Sequence, residues 1–191
     1  MSDVDTGELT AQELDALVEV AVESIRRAVA EGRRWEPDPA EHPEALRRPG
    51  ATFVTLRRAG ALRGCIGTLE ATEPLVTAVA DRARAAALAD PRFLPVEPRE
   101  LGDLEVSVSV LSAPGPLRVG SWQELRDALR PGVDGLVVEA GYHRATFLPS
   151  VWEELPAPEA FLDALWRKAG LPPRAWPAGI AISRYTAQHA G

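Results

Sequence analysis

Apolar residues recur at helical spacing from Leu14 through Leu17, Val18, Ala21, Val22, Ile25 and Val29, behind a Thr10 and Glu13 pair spaced as a capping box. The pattern predicts a first helix that ends at Glu31, with Gly32 as its stop. Glu19, Glu23, Arg26 and Arg27 fall between the apolar positions and form a solvated face. Over residues 33–49 the periodicity dissolves into proline and charge around Trp35, which predicts an irregular loop or arm. Period two then takes over. The β-branched and aromatic run 51–56, a turn over 57–60 and a return strand over 62–67 read as a hairpin. Alternation along the return strand places Arg63, Cys65 and Gly67 on one face and Leu62, Gly64 and Ile66 on the other.

A second helix is predicted from a Thr72 cap, with Pro74 in its first turn, through alanine-rich positions to Asp90, where Pro91 disfavours further helix. The short link from the hairpin suggests that this helix brings its amide-rich N-terminus near Cys65, an arrangement that favours a thiolate. LEVSVSVL over 104–111 alternates as a strand with one buried face, and Ser107 and Ser109 on it read as structural. Ser121 with Glu124 repeats the capping-box spacing before a short helix that Pro131 and Gly132 close. A turn at 132–135, strands over 136–138 and 142–148 joined at Gly141, a short helix or turn over 151–155, a helix from Pro158 to the stop at Gly170 and a last strand over 179–186 complete the pattern. Residues 10–188 are assigned to one domain, with 1–9 and 189–191 as loose tails.

With 191 residues, 46% hydrophobic and 26% charged, the chain is long enough and apolar enough for a full core. The net charge of −7 argues against a surface for duplex nucleic acid, and single-stranded nucleic-acid binding through Trp and Arg stacking is disfavoured for the same reason. No run of about eighteen apolar residues occurs, and the acidic start MSDVDTGELT does not read as a signal peptide. The expectation is a cytoplasmic protein that does not engage a membrane.

Candidate chemistry centres on Leu62, Arg63, Gly64, Cys65, Ile66 and Gly67, where the one cysteine of the chain lies between glycines that give access to the backbone. The neighbouring Arg63 would favour the thiolate. Cys65 reads as a nucleophile, a redox-sensitive thiol or a buried small hydrophobe, and His143 is the histidine on an ordered element that could act as its base. Arg63 and Arg92 are candidate anchors for an anionic group, and Asp90 with Arg92 could instead only fix their proline-bounded turn. His42, His143, His189 and Cys65 share no metal-ligand spacing, so no metal centre is expected, and no phosphate-loop pattern is present.

The LRGCIG stretch, Asp90, Pro91, Arg92, Phe93 and Pro95, the strand at 104–111, GVDG at 132–135 and TFLP at 146–149 together resemble the AMMECR domain family, in bacteria the protein A family of the AmmeMemoRadiSam system. The resemblance runs from about Leu14 to Tyr185. It implies an α+β fold, a mostly antiparallel sheet flanked by helices, with a smaller lobe and a cleft between them. Carried over residue by residue, it places Arg63, Gly64, Cys65, Gly67, Asp90, Arg92, Phe93, Gly135, Thr146 and Pro149 at that cleft. It also implies partnership with a Memo-like protein, similar to non-haem iron dioxygenases, and with a radical SAM enzyme, any iron and iron–sulfur cluster residing in those partners and no cofactor in this chain. The readings that follow are an enzyme or enzyme subunit binding a small anionic molecule or peptide end, and a non-catalytic adaptor for the same partners.

Overall fold

The computed structural model describes residues 8–191. The chain divides into two compact units, one running through Leu111 and taking in 188–191, the other Ser112–Ala187. Together they make an α+β fold with two antiparallel four-stranded sheets flanked by helices. Residues 1–7 of the expected N-terminal tail lie outside the described residues.

In the first unit, helix α1 (Ala11–Glu31) starts with both halves of the expected capping box: Glu13 N donates to Thr10 Oγ1 at 3.3 Å, and Thr10 N donates to Glu13 Oε2 at 2.8 Å. Gly32 closes the helix at φ 64°. A four-residue helix α2 (Glu44–Arg47) buries Leu46 completely within the stretch expected to be irregular. Helix α3 (Leu75–Leu88) presents Ala80, Ala83, Ala86 and Ala87 to the core, and these small side chains let it pack closely. Ser24 Oγ on α1 donates to Ala80 O at 2.6 Å. The same core takes in Val54 and Leu56 from strand β1 (Ala51–Arg58) and Val108 from β3 (Leu104–Leu111). With β2 (Ala61–Gly67) and β8 (Ala187–Ala190) these form a sheet of order β2-β1-β3-β8, in which β2 is an edge strand.

The second unit has a sheet of order β4-β7-β5-β6, from β4 (Gly115–Pro116), β5 (Gly135–Ala140), β6 (His143–Phe147) and β7 (Ala181–Tyr185). Helices α4 (Trp122–Ala128), capped by Ser121 as its spacing predicts, and α5 (Pro158–Ala169) supply Leu125, Phe161, Leu162, Leu165 and Trp166 to its core. The Trp152 ring stacks on Phe161 with centroids 3.9 Å apart.

Three expectations are corrected. The C-terminal tail is strand β8, and Leu9, placed in the other loose tail, is buried at 9% exposure. The two are tied, because Leu9 N donates to Gln188 Oε1 at 2.8 Å and Gln188 Nε2 donates to Leu9 O at 2.9 Å. Helix α3 begins after Pro74 without a side-chain cap, since Leu75 N donates to the Arg48 carbonyl instead. The hairpin turn is only Ala59 and Gly60, both at positive φ, so β1 extends two residues beyond the expected Leu56. Deleting 187–191 removes a neighbour from β3 and both partners from Leu9. That deletion is expected to cost roughly 2 kcal/mol, read by circular dichroism as a lower thermal midpoint; an unchanged midpoint would restore the loose tail.

Candidate functional site

Cys65 sits on edge strand β2, with Thr55 of β1 as its register partner. Its N–H is engaged away from β1, donating to Asp90 Oδ2 at 2.9 Å, and its carbonyl accepts from Arg92 Nη2 at 3.2 Å. Cys65 and Thr55 are therefore a non-hydrogen-bonded pair, the type in which side chains come closest. Accordingly, Cys65 Sγ lies 3.2 Å from Thr55 Oγ1, and the thiol is half-buried. The next residues along this side of the sheet include Ser107, whose Oγ lies 3.5 Å from the Thr55 carbonyl, and Ser109, whose Oγ lies 2.9 Å from Nδ1 of His189 on β8.

Asp90 is the centre of the arrangement. Its carboxylate is 2% exposed and accepts from Cys65 N, Arg92 N, Arg92 Nε and Arg92 Nη2, the last at 2.7 Å. The Arg92 guanidinium, with help from the two backbone donors, holds the Asp90 carboxyl far below the usual carboxylate range despite burial. Asp90 in turn raises Arg92, whose side chain stays half exposed and lies over the Phe93 ring at 5.4 Å. The backbone N–H and carbonyl of Cys65 are thus both held by one ion pair, while its half-buried side chain contacts Thr55.

Two glycines set the approach of the backbone. A Cβ on Gly64 would overlap the Ala86 carbonyl of α3, and one on Gly67 would run into the Phe53 ring and the Thr52 carbonyl. Gly64 therefore marks the contact of β2 with the C-terminal part of α3, while the helix N-terminus is bonded to the Arg48 carbonyl. The expectation that α3 directs its amide end at Cys65 is not met, since the helix end beside this strand is the carbonyl end.

Arg63 also departs from the expected arrangement. The β1–β2 register pairs Arg57 with Leu62 and Leu56 with Gly64, so Arg63 is the extra residue of a bulge and has no partner on β1. Simple alternation is interrupted there. The Arg63 guanidinium binds Glu100 through Nε at 2.9 Å and Nη2 at 3.0 Å, and donates to the carbonyls of Leu94 at 2.9 Å and Pro95 at 3.3 Å. Arg63, joined by the Glu97 N–H, lowers buried Glu100 to about 2. Arg63 thus positions a turn, and the cation beside the Cys65 peptide is Arg92.

The remaining predicted residues belong to the second unit. Gly135 leaves room for the Tyr185 ring and Pro149, where a Cβ would overlap. The Tyr185 hydroxyl donates to Phe147 O at 3.0 Å and lies 2.9 Å from Thr146 Oγ1, which donates to Leu136 O. Burial pushes the Tyr185 phenol up to about 12. These contacts make Gly135, Thr146 and Pro149 parts of a packed corner. His143 has a different neighbourhood: its Nδ1 lies 2.8 Å from the Ala169 carbonyl, which can only accept, so Nδ1 is the donor of that bond. The ring lines a cavity of about 520 Å³ with Leu171, Pro172, Trp176 and Pro177.

Sequence reasoning missed Thr55, Glu100 and the Ser109–His189 contact. The Glu97 and Glu100 spacing before a proline turn was a readable signal for Glu100, whereas the other two depend on strand register. Among the described residues no group of three or more His, Cys, Asp or Glu side chains could hold a metal ion, and no helix is long and apolar enough to cross a membrane.

Residues 18–190 match the model of the AMMECR1 family. A protein of Methanothermobacter thermautotrophicus is 43% identical over 173 residues, covering 86% of each chain. One from Thermotoga maritima is 39% identical, covering 90% of this chain and 94% of that one. The crystal structure of an uncharacterized protein from Pyrococcus horikoshii superposes with a TM-score of 0.86 at 35% identity, covering 95% of this chain and 92% of the other.

Proposed function

The chain belongs to the AMMECR1 family, and from that premise we propose that the surface around Cys65 binds a small anionic molecule or a peptide end. The single observation that carries this reading is the clamp on the Cys65 peptide. A buried carboxylate is spent on one backbone N–H of an edge strand, its paired arginine takes the carbonyl of the same residue, and the half-buried Cys65 carries its sulfur beside Thr55 Oγ1. Arg92, half exposed, is the group that meets a carboxylate or phosphate, and Cys65 is the group that reacts with or contacts the bound molecule. The chain works in this reading with a Memo-like protein and a radical SAM enzyme in one modification or oxidation pathway, as the resemblance implies.

The adaptor reading has its own support. Arg63 is committed to Glu100 and the 94–95 carbonyls, and the carbonyl end of α3 lies beside β2, so neither expected support for a thiolate is directed at Cys65. The two readings separate by alkylating the folded protein across a pH series, with Arg92→Lys as control. Modification of Cys65 at neutral pH, altered in the control, is the outcome expected for a binding site. A thiol that reacts only after unfolding would overturn it and leave the adaptor.

A further inference from the structure

Residues 171–178 of the second unit hold a conformation that local preference alone does not favour. Arg174 has φ 56°, a left-handed geometry that a long side chain rarely adopts. Its neighbours keep it there. Nε1 of the fully buried Trp166 donates to Ala175 O at 2.8 Å, and Ala175 N donates to Pro172 O at 3.1 Å. The Arg174 guanidinium lies over the Trp122 ring at 4.6 Å, with Nε 3.5 Å from Asp163 Oδ1. Trp176 then stacks on Trp166, the ring centroids 6.2 Å apart and the planes 18° from parallel. A backbone held against its own preference by several anchors is a place where a surface is being presented.

That surface is a wall of the cavity of about 520 Å³, to which Leu171, Pro172, Ala175, Trp176 and Pro177 contribute. The volume falls in the range of about 300–1,000 Å³ found for small-molecule sites. No Asp, Glu, Lys or Arg side chain lines it, and the one charged residue of the segment, Arg174, is committed to Trp122 and Asp163. The polar group of the lining is His143, whose ring is fixed in place. Its Nδ1 is bonded to the Ala169 carbonyl, and Gly170, at φ 72°, leaves the room the ring occupies, since a Cβ there would come within 3.3 Å of Nδ1. Nε2 has no partner among the described residues.

The flat apolar faces of a tryptophan and two prolines, with no cation or carboxylate to pair a charge, select a planar uncharged ring. A hydroxyl on that ring suits Nε2, because a hydroxyl both donates and accepts and so matches the nitrogen in either protonation state. We infer that this cavity is a binding site for a small hydroxylated aromatic molecule, seated against Trp176 with its hydroxyl on His143 Nε2. Every residue of the site lies in the second unit, so it does not depend on the reading given to Cys65.

The test is an NMR titration of the full-length protein with 2-naphthol at neutral pH, read on the Trp176 indole N–H, a signal assigned by its loss in Trp176→Phe. 2-Naphthol is expected to shift that signal saturably with a Kd of about 1 mM or tighter, while the signal of Trp35 in the first unit stays in place. 2-Naphthoate, which brings a charge into a lining without a fixed cation, should bind at least about fivefold more weakly. His143→Phe should weaken 2-naphthol about fivefold, the loss of one hydrogen bond, with the Trp122, Trp152 and Trp166 signals reporting that the variant is folded. If that variant does not fold, the preference of wild type between the two probes decides. 2-Naphthoate binding as tightly as 2-naphthol, or 2-naphthol binding unchanged in folded His143→Phe, would overturn the ligand class. No saturable shift of Trp176, or an equal shift of Trp35, would overturn the site itself.

Discussion

Gly64→Ala is expected to unfold the first unit under conditions where the wild type is native. The added methyl would overlap the carbonyl oxygen of Ala86, with the Leu56 side chain 3.6 Å away. Neither side of the overlap can yield cheaply, since Gly64 is in β2 and Ala86 O belongs to the backbone of α3. Overpacking against side chains costs about 1–3 kcal/mol, and a backbone obstacle places this substitution at or above the top of that range. At about 2–4 °C per kcal/mol, the midpoint should fall by roughly 10 °C. Gly102→Ala is the matched control, because a Cβ there meets nothing within 4 Å; it should stay within about 0.5 kcal/mol of wild type. A Gly64→Ala protein as stable as the control would mean that β2 and α3 are not in this contact.

The second large effect is expected from Asp90→Asn. The substitution keeps the size of the side chain but removes the charge that holds Arg92, and its amide cannot accept every donor that the carboxylate takes. The loss should be about 2–3 kcal/mol, the range for hydrogen bonds to a buried charged group. The pH dependence has a definite sign. Asp90 is held below its ordinary value in the folded protein, so its contribution is complete above the unfolded carboxylate pKa and is lost as pH falls through the folded value. Wild type should therefore lose more stability than Asp90→Asn between neutral pH and acid, and the two denaturation curves should converge at low pH. Parallel curves would show that the Asp90 pairing does not contribute to stability. The variant should also alter alkylation of Cys65, because the peptide carrying the thiol loses the partner of its N–H.

The legible parts of this chain were those written in local spacing. Thr10 with Glu13 forms the full capping box of α1, Ser121 caps α4 while the Glu124 carboxylate accepts from Gly120 N instead of Ser121 N, and Gly32 and Gly170 end α1 and α5 in the left-handed conformation. Of the candidate site residues, Gly64, Cys65, Gly67, Asp90, Arg92 and Phe93 lie in one unit, and Cys65, Asp90 and Arg92 are in direct contact. What the spacing could not carry was register. Counting back from the Ala59–Gly60 turn pairs Arg58 with Ala61 and would set Thr55 against Gly64, but the bulge at Arg63 shifts the pairing so that Thr55 meets Cys65. The same bulge sends Arg63 to Glu100, 37 residues away, a partner that no periodicity points to. Strand β8 was missed for a related reason, since a four-residue segment rich in small residues becomes a strand only because β3 offers it an edge.

One consequence of the Cys65 clamp reaches beyond its chemistry. An edge strand with unoccupied N–H and C=O groups is a template on which another chain can form a new strand, and such edges promote aggregation. On β2 the outward-facing groups of Cys65 are taken by Asp90 and Arg92, the donor–acceptor pair that a neighbouring strand would otherwise supply. The two side chains cap this edge of the sheet at Cys65, so the pair that holds the peptide of the thiol also removes a donor and an acceptor on which edge-to-edge self-association would build.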